Sequence, residues 1–227
     1  MGHAPDYPDR DHTMKLILVH GSVGCKEVWH YQKEHFPAAE AIDLPGHPYG
    51  EPCTSVDSYV EWLRGYIRNS GYSHVVLAGH SLGGAIAQLY ALKYPDDLKA
   101  LIIISSGARL RVSVIYIEML EQARSNSSIL GNYFSQSFEL IDPNLREVLQ
   151  RRCLENGVTV FLNDMLCFDK FDIMNRIHEI KLPALVICGS NDVMTPLKYS
   201  KYLTSKIDGA KEIIIDRALT WPSPNSL

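Results

Sequence analysis

Residues 75–84 read VVLAGHSLGG, an apolar run that passes through Gly79-His80-Ser81-Leu82-Gly83 into a segment with helical spacing. A serine on a sharp turn between a strand and a helix needs strained backbone angles, and its neighbours two positions away need almost no side chain. Gly79 and Gly83 meet that need. The pattern predicts a nucleophile elbow, with the Ser81 hydroxyl raised above the edge of a sheet. The alternative is an ordinary glycine-rich turn between a strand and a helix.

The composition is that of an ordinary globular domain and excludes several classes of protein. The chain has 227 residues, of which 46% are hydrophobic and 21% charged, enough for one domain with a full core. The net charge of −4 gives no basic patch for nucleic acid, and the apolar runs are too short to span a bilayer. We therefore expect neither a nucleic-acid nor a membrane partner. Five scattered cysteines without a C-x-x-C pair favour reduced thiols, so we expect a cytoplasmic protein. The nine histidines lack metal-ligand spacing, so neither a metal nor a cofactor is expected, while the oligomeric state stays open.

Apolar segments alternate with helical periodicity through most of the chain. Strands are predicted at residues 15–20, 39–44, 74–79, 100–105, 183–189 and 212–216. Helices are predicted at residues 56–69, 82–94 and 196–207. Because strands and helices alternate and the strands are almost continuously apolar, the expected fold is α/β, with a mostly parallel central sheet and helices on both faces.

The alternation stops between the fourth and fifth strands, where only helical segments are predicted. These are residues 114–124, 145–155, 158–168 and 171–178. Such an insertion is expected to form a cap over the carboxyl edge of the sheet, where parallel sheets bind their ligands. The predicted organisation is a disordered extension at 1–13, a first core part at 14–111, the cap at 112–180, a second core part at 181–216 and an atypical tail at 217–227.

Four motifs occur in an order that resembles the α/β-hydrolase fold superfamily, and in particular its small capped serine esterases. Residues 20–24 (HGSVG) resemble the H-G-x-x-G oxyanion loop, and residues 43–47 (DLPGH) resemble the D-x-P-G-H-G turn. The Ser81 turn follows, and residues 188–196 (CGSNDVMTP) resemble the loop that carries the catalytic acid. The resemblance spans about residues 15–216. A serine at the nucleophile position, rather than an aspartate, argues against the dehalogenase and epoxide-hydrolase branches.

The resemblance implies a role for each motif. Ser81 would be the nucleophile and Asp192 the acid that orients the base, because a serine hydroxyl needs an adjacent base to attack at neutral pH. The alternative for Asp192 is a turn residue that caps the helix beginning at Pro196. The backbone N–H groups of Ser22 and Leu82 would bind the oxyanion, since negative charge develops on the attacked carbonyl.

Two histidines and a group of apolar side chains are weaker candidates. His20 is expected to support the oxyanion loop, and His80 to be a packing residue that points away from Ser81. The following side chains are candidates for the substrate pocket, with plain core packing as the alternative: Trp29, Met119, Phe161 and Met165.

No histidine follows Asp192, although the family pattern places the catalytic base after the last strand. All nine histidines lie at or before His178, which is a weak substitute because the base must reach Ser81. We interpret residues 217–227 as the result of truncation or a frameshift, with loss of the histidine and of a closing helix. A naturally shortened paralogue is the alternative, and the coding DNA distinguishes the two.

The function implied is hydrolysis of a small carboxylic ester or thioester through an acyl-enzyme, impaired by the missing histidine. One alternative is a catalytically inactive hydrolase fold that binds a ligand or a partner. A carbon–carbon bond hydrolase or a cofactor-free lyase on the same residues is a further option, because one fold supports several reactions.

Overall fold

The computed structural model describes residues 14–218. The predictions for residues 1–13 and for most of the tail at 217–227 therefore lie outside the described residues. The strands are β1 (Lys15–Val19), β2 (Glu40–Ile42), β3 (Val75–His80), β4 (Leu98–Ile104), β5 (Ala184–Gly189) and β6 (Lys211–Ile215). The helices are α1 (His30–His35), α2 (Val56–Asn69), α3 (Leu82–Lys93), α4 (Val114–Ala123), α5 (Ser128–Ser137), α6 (Pro143–Lys170) and α7 (Leu197–Lys206). Within residues 14–218, no helix combines the length and the apolar character that crossing a membrane requires.

The six strands form one parallel sheet in the order β2-β1-β3-β4-β5-β6. Strand β3 lies in the middle, so that Gly79 is level with Val19 on one side and with Ile103 on the other. Because all strands run in the same direction, the loops after β1, β3, β4 and β5 meet at one edge of the sheet. The α/β class predicted from the sequence is confirmed.

The two faces of the sheet are covered differently. Ile17 and Val19 pack with α2 and α3 on one face, where the main core of the protein lies. Helix α2 begins at a capping box between Ser55 and Ser58, which satisfies the first free backbone N–H groups of the helix. On the other face, Leu18 packs against the side chain of Trp29 from the segment before α1.

The cap is built from α4, α5 and α6, which share an apolar core that also includes Val23 and Cys25 from the segment after β1. Helix α6 combines the two helices predicted at 145–155 and 158–168, and it is interrupted at Gly157, whose φ is +78°. The helix predicted at 171–178 is wrong. The carboxylate of Asp172 accepts the backbone N–H of Met174 at 3.2 Å, a local turn that competes with a helix, and only Ile177–Glu179 forms a short 3₁₀ helix.

Candidate active site

Ser81 occupies the turn between the end of β3 and the start of α3. Its backbone is left-handed, with φ +52° and ψ −115°, a conformation that costs a non-glycine residue about 1–3 kcal/mol. The Ser81 N–H donates to the carbonyl of Ile104 at 3.0 Å, and the Ser106 hydroxyl donates to the carbonyl of Ser81 at 2.9 Å. Both backbone groups of this strained residue are therefore held by β4 and the segment that follows it.

The glycines on either side of Ser81 lie where no side chain fits. A Cβ atom on Gly79 would be 2.1 Å from the carbonyl oxygen of Gly83, and a Cβ atom on Gly83 would be 2.4 Å from the carbonyl oxygen of Val19. These are backbone atoms, which cannot rotate away as the end of a side chain can. The close approach of β1, β3 and α3 at this point therefore depends on glycine at both positions.

The loop after β1, residues 21–24, lies directly against Ser81. A Cβ atom on Gly21 would be 3.0 Å from Ser81 Cβ and 3.0 Å from Nδ1 of His80. Val23 in this loop is fully buried and left-handed, with φ +52°, which is unusual for a β-branched residue. Within residues 14–218, the buried Ser22 hydroxyl oxygen has no hydrogen-bond partner, and Ser22 borders the cavity described below.

Asp192 follows β5 and is almost completely buried, with 5% of its surface exposed. Its Oδ1 accepts the backbone N–H groups of Met194 at 3.0 Å and Thr195 at 2.8 Å, while Oδ2 accepts the Thr195 hydroxyl at 2.6 Å. Helix α7 begins later, at Leu197, and no side chain caps its first turn. Asp192 thus closes its own turn and does not cap α7.

The histidines near Ser81 have different environments. Nε2 of His20 accepts the backbone N–H of Leu44 at 3.0 Å, so the proton lies on Nδ1 and is donated to the Gly21 carbonyl at 2.7 Å. Burial lowers the pKa of His20 to about 3, which keeps this imidazole neutral beside the loop. Burial also lowers the pKa of His80 to about 4, and the nearby charge of Asp192 only partly opposes that effect.

His80 and His178 differ in their access to the site. His80 borders the same cavity as Ser81, so it is not only a packing residue. His178 is exposed on the 3₁₀ helix Ile177–Glu179 and does not border the cavity. Of the histidines in residues 14–218, none has a hydrogen bond to the Ser81 hydroxyl.

A cavity of about 460 Å³ lies between the carboxyl edge of the sheet and the cap. Three of the predicted pocket residues, Trp29, Phe161 and Met165, line it, whereas Met119 packs in the apolar core of the cap. Periodicity did not single out several other apolar side chains of the lining, which come from the cap: Phe138, Ile141, Leu145 and Leu149. Such a volume accommodates a small organic ligand, and its walls favour an apolar one.

Two polar side chains of α6, Asp164 and Asn156, contact the 21–24 loop and were missed by the sequence analysis. The Asp164 side chain is fully buried and accepts the Val23 N–H at 2.8 Å. A carboxylate among Val160, Phe161 and Phe168 on one face of a helix was a signal that could have identified it, because charged residues are rarely buried without partners.

Comparisons with known proteins agree with this architecture. Residues 16–218 match the profile of a family described as the alpha/beta hydrolase family. The chain is 25% identical over 235 residues to a pimeloyl-[acyl-carrier protein] methyl ester esterase of Neisseria meningitidis, covering 93% of this chain and 72% of the relative. It is 30% identical to a thermophilic esterase of solved structure, with a TM-score of 0.72 and coverage of 90% and 81%. The enol-lactonase of Burkholderia xenovorans LB400 has the same fold, with a TM-score of 0.80 at 16% identity and coverage of 91% and 85%.

Proposed function

This chain belongs to the alpha/beta hydrolase family, and we propose that it is a serine hydrolase of small carboxylic esters or thioesters that acts through an acyl-enzyme on Ser81. The observation that carries the proposal is the strained Ser81 turn, which borders an apolar cavity at the carboxyl edge of the sheet. Strained backbone at a non-glycine residue persists where the surrounding structure holds it and is common at catalytic positions. The similarity to esterases supports the same reaction class.

In the proposed reaction, Ser81 Oγ attacks the carbonyl carbon of the ester and loses its proton to water, because no histidine of residues 14–218 is hydrogen-bonded to it. The tetrahedral oxyanion accepts hydrogen bonds from the backbone N–H groups of Leu82 and Ser22. The alcohol or thiol then leaves with a proton, and water hydrolyses the acyl-Ser81 ester to release the acid. Loss of one oxyanion donor lowers the rate of such reactions by about 100-fold to 1,000-fold.

Asp192 is the proposed acid, and its buried position beside the cavity-lining His80 supports that role. The printed sequence has no histidine after Asp192, and residues 14–218 offer Ser81 no histidine hydrogen bond. Without a base, Ser81 attacks only slowly, because a serine hydroxyl is a weak nucleophile until its proton is removed. We therefore expect this chain to turn over esters slowly.

The cavity favours substrates with a short apolar acyl or alcohol group. Its walls include Trp29, Phe161 and Met165, and its size suits a small organic molecule. Ser22 also borders this space, and its backbone N–H is the proposed oxyanion donor. An ester presents an apolar chain next to two oxygens, which matches this combination.

The test is hydrolysis of p-nitrophenyl acetate and p-nitrophenyl butyrate by the wild-type chain and by Ser81→Ala. We expect slow turnover by the wild type that the substitution abolishes. Labelling by a fluorophosphonate probe reports an activated serine and is expected to disappear in the same variant. Equal hydrolysis rates for the two proteins would refute Ser81 as the nucleophile.

A second candidate is a ligand-binding protein that uses the same cavity without turnover. The absence of a histidine hydrogen bond to Ser81 among residues 14–218 favours it. In that case the wild type would show neither turnover nor labelling. A non-hydrolysable ether, p-nitrophenyl butyl ether, would then still raise the melting temperature, because a ligand that binds the folded state stabilises it.

A further inference from the structure

We propose that Asp164 and Asn156 of the cap are positioning residues. They hold the 21–24 loop in the conformation that presents the backbone N–H of Ser22 to the oxyanion. The inference rests on the proposed function, because Ser22 of this loop is a proposed oxyanion donor. Neither side chain needs to touch the substrate. They act through the backbone of Val23, which follows Ser22 directly.

Asn156 binds two backbone carbonyl groups of the loop. Its Nδ2 donates to the carbonyl oxygens of Val23 and Gly24, both at 2.8 Å, and the residue is buried. Because both partners are carbonyl acceptors, the atom that faces them must be the amide nitrogen. One side chain therefore bonds two successive peptide groups of the loop.

Asp164 binds the backbone N–H group of Val23. Its Oδ2 accepts the Val23 N–H at 2.8 Å, and its Oδ1 accepts the Tyr59 hydroxyl at 2.8 Å. Together with Asn156, it bonds both backbone groups of Val23. This matters because Val23 has a positive φ of +52°, a conformation that a β-branched residue keeps only when its surroundings impose it.

Asp164 is itself locked in place by a buried cation. Nε2 of His47 lies 2.9 Å from Oδ2 of Asp164, and Nδ1 of His47 lies 3.1 Å from the carbonyl oxygen of Pro45. Both ring nitrogens face acceptors only, so both carry protons and His47 is an imidazolium. Burial lowers the pKa of His47, but the hydrogen bond and charge of Asp164 outweigh burial and leave that pKa raised.

The buried pair connects three parts of the chain at one point. His47 belongs to the loop after β2, Tyr59 to α2 and Asp164 to the cap, and all three side chains are fully buried. A buried ion pair with its hydrogen bonds satisfied has a defined geometry, since any displacement leaves a charge without a partner. The position of Asp164, and through it the Val23 N–H, is thereby fixed relative to the core.

The experiment compares Asn156→Ala with a matched control on the same helix, Asn163→Ala. Nδ2 of Asn163 donates to the carbonyl of Cys53 at 2.7 Å, which is the same kind of contact between cap and core away from the 21–24 loop. Hydrogen–deuterium exchange of a peptide covering residues 20–25 measures the opening of the loop, and steady-state hydrolysis of p-nitrophenyl butyrate measures its effect on catalysis.

We expect Asn156→Ala to accelerate exchange in the loop by about 10-fold to 30-fold, because two hydrogen bonds are lost, and Asn163→Ala to leave it unchanged. The kcat of Asn156→Ala should fall about 10-fold to 100-fold with little change in KM, since the oxyanion exists only in the transition state. Asn156→Asp keeps the volume but replaces the donor with an acceptor, so it should reproduce both effects.

The possible outcomes separate this inference from the proposed function. Unchanged loop exchange in Asn156→Ala would overturn the positioning role. Faster exchange with unchanged kcat would overturn its link to catalysis. A wild-type protein without turnover would count against the proposed function alone, and loop exchange would then decide the positioning role by itself.

Discussion

Replacement of Gly83 by alanine should destabilise the protein although alanine is the better helix former. The new Cβ would lie 2.4 Å from the carbonyl oxygen of Val19 and 2.6 Å from that of His20, whereas real contacts essentially never fall below 3.0 Å. The end of β1 and the start of α3 must therefore separate by at least 0.6 Å. Overpacking costs about 1–3 kcal/mol, and here the obstacle is backbone, so we expect the free energy of unfolding to fall by about 3 kcal/mol.

The matched control is Gly65→Ala in α2, where a Cβ atom meets nothing within 4 Å. There the substitution should stabilise the helix by about 0.5–1 kcal/mol, because glycine is unfavourable inside helices. Urea denaturation at pH 7 measures both variants, and the two midpoints should move in opposite directions. If Gly83→Ala kept the wild-type midpoint or gained stability as Gly65→Ala does, the inference that β1 and α3 leave no room for a side chain at position 83 would be refuted.

Three further predictions concern Ser22, Phe161 and His80. Ser22→Ala removes a buried hydroxyl that has no hydrogen-bond partner within residues 14–218, so the urea midpoint should not fall, and a lower midpoint would show that this hydroxyl has a partner. Phe161→Ala should cost about 3–5 kcal/mol and shift preference toward longer acyl chains, and unchanged chain-length selectivity would contradict its place in the cavity wall. Folded His80 titrates at about 4 but unfolded His80 at about 6.5, so its contribution to stability is present above pH 6.5 and is lost as the pH falls toward 4. The decline of the urea midpoint between pH 7 and pH 5 should therefore be flatter in His80→Gln, and an identical decline would contradict the lowered pKa.

The elements that local sequence determines were predicted closely. Helix α2 has the predicted bounds, because Ser55 and Ser58 form its capping box and Gly71, with φ +72°, ends the turn after it. The turn at Ser81 was also predictable from local sequence. An apolar strand, two glycines and a helix leave few other ways to arrange the chain.

The cap was predicted less well because its helices depend on contacts between distant segments. Helix α5 (Ser128–Ser137) has weak local signals and is fixed by packing of Tyr133 and Phe134 against Phe161 of α6. Met119 has the helical spacing of a pocket residue but faces the interior of the cap. Which side of a cap helix faces the cavity is decided by how the helices pack, and periodicity does not contain that information.

Two strained residues of the candidate site, Ser81 and Val23, are held by different parts of the protein, and this separates the roles of core and cap. The backbone groups of Ser81 bond to Ile104 and Ser106, so the core alone fixes the proposed nucleophile. The backbone groups of Val23 bond to Asp164 and Asn156, so the loop with the proposed oxyanion donor depends on the cap. A change in the cap that alters the cavity wall can therefore also alter the oxyanion donor, because α6 supplies both. In the proposed reaction, substrate selection and transition-state stabilisation are coupled through α6, whereas the hydrogen bonds from Ile104 and Ser106 hold the Ser81 backbone from the core.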